Sequence, residues 1–453
     1  MSTNLSGARV TVLGAAQSGL AAAILLANNH SDVFVSDSGS VSSENTSRLH
    51  ARGISFEENG HTARALEADF IVTSPGIPAT AAPLQSASDL QIPVYSELEL
   101  ASWFCEAPIL AVTGSNGKTT TTTLLGAILA NSGRTTYLAG NIGIAFSDIV
   151  LDVKAEDVVV LEVSSFQLEH IHSFRPTVAV LLNISPDHLN RYDNNLSSYA
   201  ECKYGITLNQ TSSDKLVYNM DDHWISDRVD RDNGINRPEK LGFTLSDNPE
   251  AAGYVADGSL TLNTIATREV LMQQDELPIR GRHNIYNSLA ASIAARMIEV
   301  GSDTVRNSLA SFEGIEHRLE FVREVDGVRY VNDSKATNVN ALWYALESFY
   351  SPVVLIAGGR DKGNDYSSVQ SLVRDRVRML ISIGESADTV DAQLGPYADT
   401  RIVVESLEDA VQYASNLSKP GETVLLSPAC ASFDMFANFE ARGDVFKRLV
   451  ANL

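Results

Sequence analysis

The residues best suited to chemistry stand in Ile109 to Thr123, ILAVTGSNGKTTTTT, where an apolar run meets Gly114, Ser115, Asn116, Gly117, Lys118, Thr119 and Thr120. Glycines let backbone N–H groups turn toward phosphate oxygens, and a following helix adds its dipole. Lys118 can then reach the terminal phosphates of a nucleotide while the Thr119 hydroxyl takes Mg²⁺. The spacing departs from the usual phosphate loop, because Val112 rather than glycine stands five residues before Gly117. The bland alternative is a glycine turn capped by threonine; GKT directly after a strand favours the phosphate loop.

A second glycine turn, Gly14 to Gly19, follows the first strand, and Asp37 ends the next. This resembles a dinucleotide fingerprint with Asp37 on a ribose hydroxyl, but Ala16 occupies the middle position, where glycine permits close approach of a pyrophosphate. The turn suits a mononucleotide or nucleotide-sugar pocket better than NAD, with ligand-free strand–helix packing as a third reading. Downstream lie Glu162-Val163-Ser164-Ser165-Phe166-Gln167 and Asn183-Ile184-Ser185-Pro186-Asp187-His188, each at a strand end. Ligands of open α/β sheets gather beyond those ends, so Glu162 and His188 could face phosphates held at Lys118. Glu162 suits Mg²⁺; a histidine ligand is less usual for that ion. Taken alone, either residue is equally readable as structural.

These loops need a scaffold, and the chain supplies α/β alternation along most of its length. Strands are expected at Arg9–Leu13, Asp32–Ser36, Asp69–Thr73, Ile109–Thr113, Asp157–Val163, Thr177–Leu182, Lys215–Asn219 and Val353–Ala357, with helices over Ser18–Asn29 and Asn284–Val300. A strand pair, Leu319–Val325 and Val328–Val331, hinges on Asp326-Gly327. Residues 223 to 280 are too polar and aperiodic to assign. A length of 453 residues exceeds one core. The expectation is three domains: a Rossmann-like unit over 1–98, a central P-loop unit with a mostly parallel sheet over 99–314, and a Rossmann-like α/β unit over 315–453.

A net charge of −22 repels phosphate backbones and anionic lipid, which argues against nucleic acid and membranes as partners. Cys105, Cys202 and Cys430 form no CxxC pair and leave one cysteine over, as a reducing cytoplasm allows. Val10 to Ala27 has the apolar look of a signal-peptide core, but Gly14, Gln17, Ser18 and Gly19 interrupt it.

The stretches TGSNGKTTT, EVSSFQLE, NISPDHLNRY, RHNIYN, EHRLEFV, NDSKATN and SPACASFDMFANFEARG, in this order from residue 113 to 443, resemble the motifs of the Mur ligases. SSFQLE, NDSKATN and the last stretch are similar to the D-glutamate-adding members, and the DNPR of the diaminopimelate-adding ones is missing. The resemblance spans essentially the whole chain. It implies ATP-dependent joining of D-glutamate to UDP-N-acetylmuramoyl-L-alanine by a cytoplasmic enzyme, expected to act as a monomer. It makes Gly114, Asn116, Gly117, Lys118, Thr119 and Thr120 the phosphate loop and Glu162 a ligand of the first Mg²⁺. His188 would hold a second Mg²⁺ with Lys203, which matches the family's carbamoylated lysine; base rates alone would put a lysine there on the surface. Asn287, Arg318 and Asp333 match contacts to the nucleotide. Lys335, Thr337, Lys362, Ser432 and Phe439 match the amino-acid pocket, and Gln17, Ser18, Ser38, Gly76, Asn141 and Ser164 the UDP-sugar side. Gly39 stands where an arginine can hold the uracil end.

The implied chemistry has a carboxylate attack the γ-phosphate of ATP, after which an amine displaces phosphate from the acyl phosphate. Two anions must meet, which is why two Mg²⁺ ions and Lys118 are called for. Three rivals stand beside this reading: a related ligase such as another Mur enzyme or folylpolyglutamate synthetase, an NTP-driven regulatory protein, and a dinucleotide oxidoreductase. The Gly14 turn argues against the folate enzyme, and the phosphate loop is unexplained by the oxidoreductase.

Overall fold

The computed structural model describes residues 5–453 except 142, 266, 350 and 362, and the side chains of 265 and 267. Apolar β-branched runs form three sheets. The first is all parallel, with β1 (Arg9–Leu13), β2 (Asp32–Ser36), β3 (Ser55–Glu57), β4 (Phe70–Thr73) and β5 (Val94–Ser96) in the order β3-β2-β1-β4-β5. The order reverses direction at β1 and β4, where doubly wound sheets open a crevice for ligands.

The second sheet takes β6 (Ile109–Thr113), β7 (Thr136–Gly140), β8 (Val158–Glu162), β9 (Val178–Leu181), β10 (Lys215–Asn219), β11 (Glu239–Phe243), β12 (Gly253–Ala256), β13 (Ser259–Ile265) and β14 (Thr267–Gln273). Its order is β14-β13-β12-β11-β10-β9-β6-β8-β7, antiparallel only at the β12–β13 and β13–β14 pairs. The stretch that defeats assignment from sequence thus holds the helix His223–Arg231 and four strands. The outer pair β13 and β14 exposes Asn263, Arg268 and Val270, so it lacks the continuous apolar signature of the buried parallel strands.

The third sheet runs β15-β16-β20-β17-β18-β19, from β15 (Glu320–Val325), β16 (Val328–Asn332), β17 (Val353–Gly358), β18 (Val377–Ile383), β19 (Thr400–Val404) and β20 (Thr423–Leu426). Only β15–β16 is antiparallel, and its hairpin turns on Asp326 and Gly327, both with positive φ (49° and 78°), as a two-residue turn of that twist requires. One expected helix is shorter than its apolar pattern. It spans Arg282–Arg296, because Glu299 turns left-handed (φ 67°) and the Val300 N–H closes back on Ala295 O at 3.2 Å.

The chain divides into two compact bodies, Met1–Glu276 with Tyr286–Ala310 and Leu277–Ile285 with Ser311–Leu453. In the first, the two sheets share one run of buried side chains from Val10 and Leu26 through Leu98 and Ala107 to Phe174 and Ile206. Among the described residues no helix is long and apolar enough to cross a membrane.

Candidate active site

In the first body β6 lies between β8 and β9, all parallel, so the loops leaving their carboxyl ends converge. Gly114 (φ 153°) and Gly117 (φ 85°) adopt backbone angles that side chains resist, and Gly117 caps the helix Lys118–Asn131. A Cβ built on Gly117 would collide with the Asn287 side chain, so the loop and the expected base-binding asparagine are brought together. The loop is sewn to the segment after β9. Asn116 N–H donates to Asn183 Oδ1 (2.8 Å), Asn183 Nδ2 returns a bond to Asn116 O (2.9 Å), and Ser185 N–H donates to Ser115 Oγ (2.9 Å). Asn183, Ser185 and Ser115 thus tie the two loops together, a structural part that the motifs containing them do not by themselves assign.

Lys118 Nζ bonds Gly114 O at 2.8 Å and Ser115 O at 2.9 Å. Thr119 and Thr120 are buried in the first turn, and Thr120 Oγ1 has no hydrogen-bond partner among the described residues. Glu162, 2% exposed at the end of β8, takes a bond on Oε1 from Asn141 Nδ2 (2.8 Å) while its buried Oε2 has no partner among the described residues. Asn141, expected nearer the sugar, is thus tied to the carboxylate. His188 caps a short turn with φ 52°, its Nε2 3.6 Å from Asp187 and its ring edge-on to Phe166. Ser164 opens the helix Ser165–Leu168 with a reciprocal cap to Gln167.

Base rates put Lys203 at the surface, and the structure does the opposite. Asn195 caps the helix Leu196–Tyr204, whose last turn carries Lys203 inward until it is 1% exposed. Its Nζ donates to Gly114 O (2.9 Å) and sits 4.7 Å from the centre of the Tyr199 ring. Among the described residues it makes no ion pair. Burial, then the charge of Lys118, drives its pKa well below the ordinary lysine value, which favours a neutral amine.

The first sheet presents Gly14, Ser38 and Gly76 beyond the ends of β1, β2 and β4. Ser18 lies in the first turn of the helix Gln17–Asn28, and Gln17 Nε2 donates to Gly143 O at 2.6 Å. The Asp37 carboxylate, a ribose candidate, is engaged by the N–H groups of Ala15 (2.6 Å) and Gly39 (2.8 Å), so it shapes both loops.

The second body gathers Asp333 and Lys335 after β16 and Ser432 after β20, two parallel neighbours. Lys335 Nζ lies 5.2 Å from the Phe439 ring centre, Ser432 is 2% exposed, and Thr337 is half-buried just before the helix Val339–Glu347. Burial pushes the Asp333 carboxyl up to about 7 against the bond from Ser427 and the charge of Arg318. Lys362 lies outside the described residues. The sequence reading missed Arg442, 0% exposed, whose guanidinium holds Ser334 O (2.8 Å) and Cys430 O (3.2 Å) and so joins the two loops. Its signal was a lone arginine inside the last motif.

A phosphate loop after a central parallel strand, backed by a buried glutamate and lysine, defines a nucleotide-dependent enzyme class. Family models fix which: Mur ligase middle domain matches 112–295, the Mur ligase glutamate ligase domain 317–430, and the MurD N-terminal domain 9–82. The chain belongs to the Mur ligase family. It is 51% identical over 450 residues to the UDP-N-acetylmuramoylalanine--D-glutamate ligase of Salinibacter ruber, covering 98% of each chain. The enzyme of that name from Chloroherpeton thalassium is 46% identical, with 99% of each covered. The fold is that of the UDP-N-acetylmuramate-alanine ligase from Thermotoga maritima (TM-score 0.60, 18% identity, 98% of this chain and 100% of that one).

Proposed function

We propose that the chain is an ATP-dependent amide ligase that adds D-glutamate to UDP-N-acetylmuramoyl-L-alanine through an acyl phosphate, in the cytoplasmic synthesis of peptidoglycan precursors. Full-length likeness to ligases of that name supports the reading. The single observation that carries the chemistry is Lys203 buried against the Gly114 carbonyl beside Lys118. A buried, neutral amine is the nucleophile that CO₂ carbamoylates, and the resulting anion suits a site where cations must gather.

A divalent cation fits the residues present, because the buried Oε2 of Glu162 has no hydrogen-bond partner among the described residues. Thr119 and Glu162 would hold one Mg²⁺ and His188 with carbamoylated Lys203 another; bound there, the ions would offset the negative charge of triphosphate and carboxylate. The glycine loop with Asn116 and Thr120 orients the phosphates, Lys118 neutralises charge on the group in flight, and Asn287, Arg318 and Asp333 serve the nucleotide. We assign Gln17, Ser18, Ser38, Gly76, Asn141 and Ser164 to the UDP-sugar and Lys335, Thr337, Lys362, Ser432 and Phe439 to D-glutamate. Residues 1–98, 99–314 and 315–453 then divide UDP-sugar, ATP and amino acid among them.

Phosphate release from ATP, with UDP-N-acetylmuramoyl-L-alanine and a panel of amino acids, tests the reading. Release is expected only when both the UDP-sugar and D-glutamate are present. Equal turnover with L-alanine or meso-diaminopimelate would overturn the substrate, and release independent of any amino acid would point to a regulatory NTPase.

A further inference from the structure

The turn that carries Gly76 and the turn that carries His188 are held by one side chain. Arg191 lies three residues after His188 on the short helical turn Leu189–Arg191, and its own N–H bonds His188 O at 3.0 Å. Its guanidinium reaches out of the second sheet's layer to the first. Nη1 donates to Pro75 O (2.8 Å) and Nη2 to Ile77 O (2.8 Å), so the two carbonyls flanking Gly76 are both taken. Two further donors go to Glu169, Nε to Oε1 at 2.9 Å and Nη2 to Oε2 at 2.6 Å. Its carbon centre lies 4.3 Å from the centre of the Phe166 ring, whose edge contact with the His188 ring spans 5.1 Å. The arginine and Glu169 are only 11% and 15% exposed, so this fork is shielded from competing water.

The same turn also closes on the first glycine loop. A Cβ built on Gly14 would stand 2.7 Å from Ser74 Oγ and 3.5 Å from Ile77 Cδ1. Whatever fixes Pro75 to Ile77 therefore fixes one wall of the pocket at the ends of β1 and β4. Arg191 does this from three nitrogens spread across a planar fork, a span that the single point of a lysine ammonium lacks.

We infer that Arg191 is a positioning residue that sets the register between the nucleotide-sugar pocket and the His188 side of the phosphate centre. The inference rests on the proposed ligase reading. The carboxylate to be activated hangs at the far end of the UDP-sugar, so its distance from the γ-phosphate depends on how the Gly76 turn sits relative to His188. A displacement of about 1 Å at such a step costs on the order of 100-fold in rate.

The test is steady-state phosphate release by the full chain and its Arg191→Ala and Arg191→Lys variants, each substrate varied in turn, with Tm measured alongside. For Arg191→Ala the expected result is a fall in kcat of about 30- to 100-fold and a rise of about tenfold in KM for the UDP-sugar, with KM for ATP and D-glutamate within about threefold of wild type. Arg191→Lys should stay folded, with a Tm near wild type, and remain impaired. Methylguanidinium should restore part of the Arg191→Ala rate. Unaltered kinetics in both variants would overturn the inference, as would a uniform loss in which all three KM values and Tm worsen together or lysine restores full activity. A wild-type chain without D-glutamate-dependent turnover would overturn the ligase reading and this inference with it.

Discussion

Lys118 Nζ and Lys203 Nζ converge on a single acceptor, the Gly114 carbonyl oxygen, at 2.8 and 2.9 Å. The carbonyl has a lone pair for each, but two positive charges on one acceptor repel, and the buried member yields: Lys203 is held toward its neutral form by burial and by its neighbour's charge. On the proposed reading the pair divides the work, a cation for phosphate at Lys118 and an amine for carbamoylation at Lys203.

Burying Lys203 costs stability. The Lys203 pKa is depressed in the fold and ordinary in the unfolded chain, so protonation favours unfolding. The penalty is fully present below the folded-state pKa and vanishes as pH rises past the unfolded value of about 10.4. Lys203→Met, which keeps the apolar stem, should raise Tm at pH 7 in metal-free, bicarbonate-free buffer, and the gain should shrink toward pH 10. An equal or lower Tm at pH 7 would contradict the burial cost.

The same residue should be indispensable for turnover. Lys203→Ala is expected to lose at least about 100-fold in kcat, the scale of removing one electrostatic element from a preorganised site. Formate, acetate or bicarbonate should recover part of the rate by supplying an anion. Wild-type activity in Lys203→Ala, measured by phosphate release, would refute the role.

Glu99 is a stability prediction. Buried in the helix Glu97–Ser102, its carboxylate accepts from Trp103 Nε1 (2.8 Å) and from the N–H groups of His172 (2.9 Å), Ser173 (2.9 Å) and Phe174 (2.8 Å). Burial alone would raise its pKa; the bonds from Ser173, His172 and Trp103 overcome that and hold it below the ordinary value. Glu99→Ala strands several buried donors and should cost roughly 3 to 5 kcal/mol in denaturant unfolding. With a depressed folded-state pKa, this stability is present above about pH 4.3 and is lost as pH falls through the folded value, so the gap to Glu99→Gln should narrow at pH 3. A gap constant from pH 7 to 3 would show that charge is not what the donors hold.

Asp333 should behave with the opposite sign. Its pKa, pushed by burial up to about 7, exceeds the unfolded value, so the charged form opposes folding increasingly as pH rises from about 3.9 through 7. Asp333→Asn should raise Tm at pH 8 but not at pH 4, while KM for ATP rises. A variant destabilised equally at both values would show that the Ser427 bond, at 2.8 Å, outweighs burial.

Lys362 carries a kinetic prediction from its place in Gly358-Gly359-Arg360-Asp361-Lys362-Gly363 after β17. Loss of one charge-assisted bond to a carboxylate of D-glutamate, worth roughly 1.5 to 3 kcal/mol, should raise KM for D-glutamate in Lys362→Ala about ten- to a hundredfold and leave KM for ATP nearly unchanged. An unaltered KM for D-glutamate would remove the residue from the pocket.

The sequence by itself determined what depends on local chemistry. The buried strands Arg9–Leu13, Asp32–Ser36, Ile109–Thr113 and Lys215–Asn219 are continuous enough in apolar residues to be read to the residue, and the turns at Asp326-Gly327 and Gly114–Gly117 follow from backbone angles that glycine tolerates. Order of motifs along the chain was enough to indicate the family. Tertiary structure alone decided which distant groups share an atom. Nothing in the spacing of Lys203 says that its helix, capped by Asn195, turns the lysine inward onto Gly114 O, because a helix exposes or buries a residue only according to what packs against it. Nor could the sequence disclose that Arg191 spends its donors on Pro75 and Ile77, or that Arg442 lies wholly buried between Ser334 and Cys430. A guanidinium's partners are set by the three-dimensional convergence of carbonyls from loops far apart in the chain, and that convergence exists only once each body has folded.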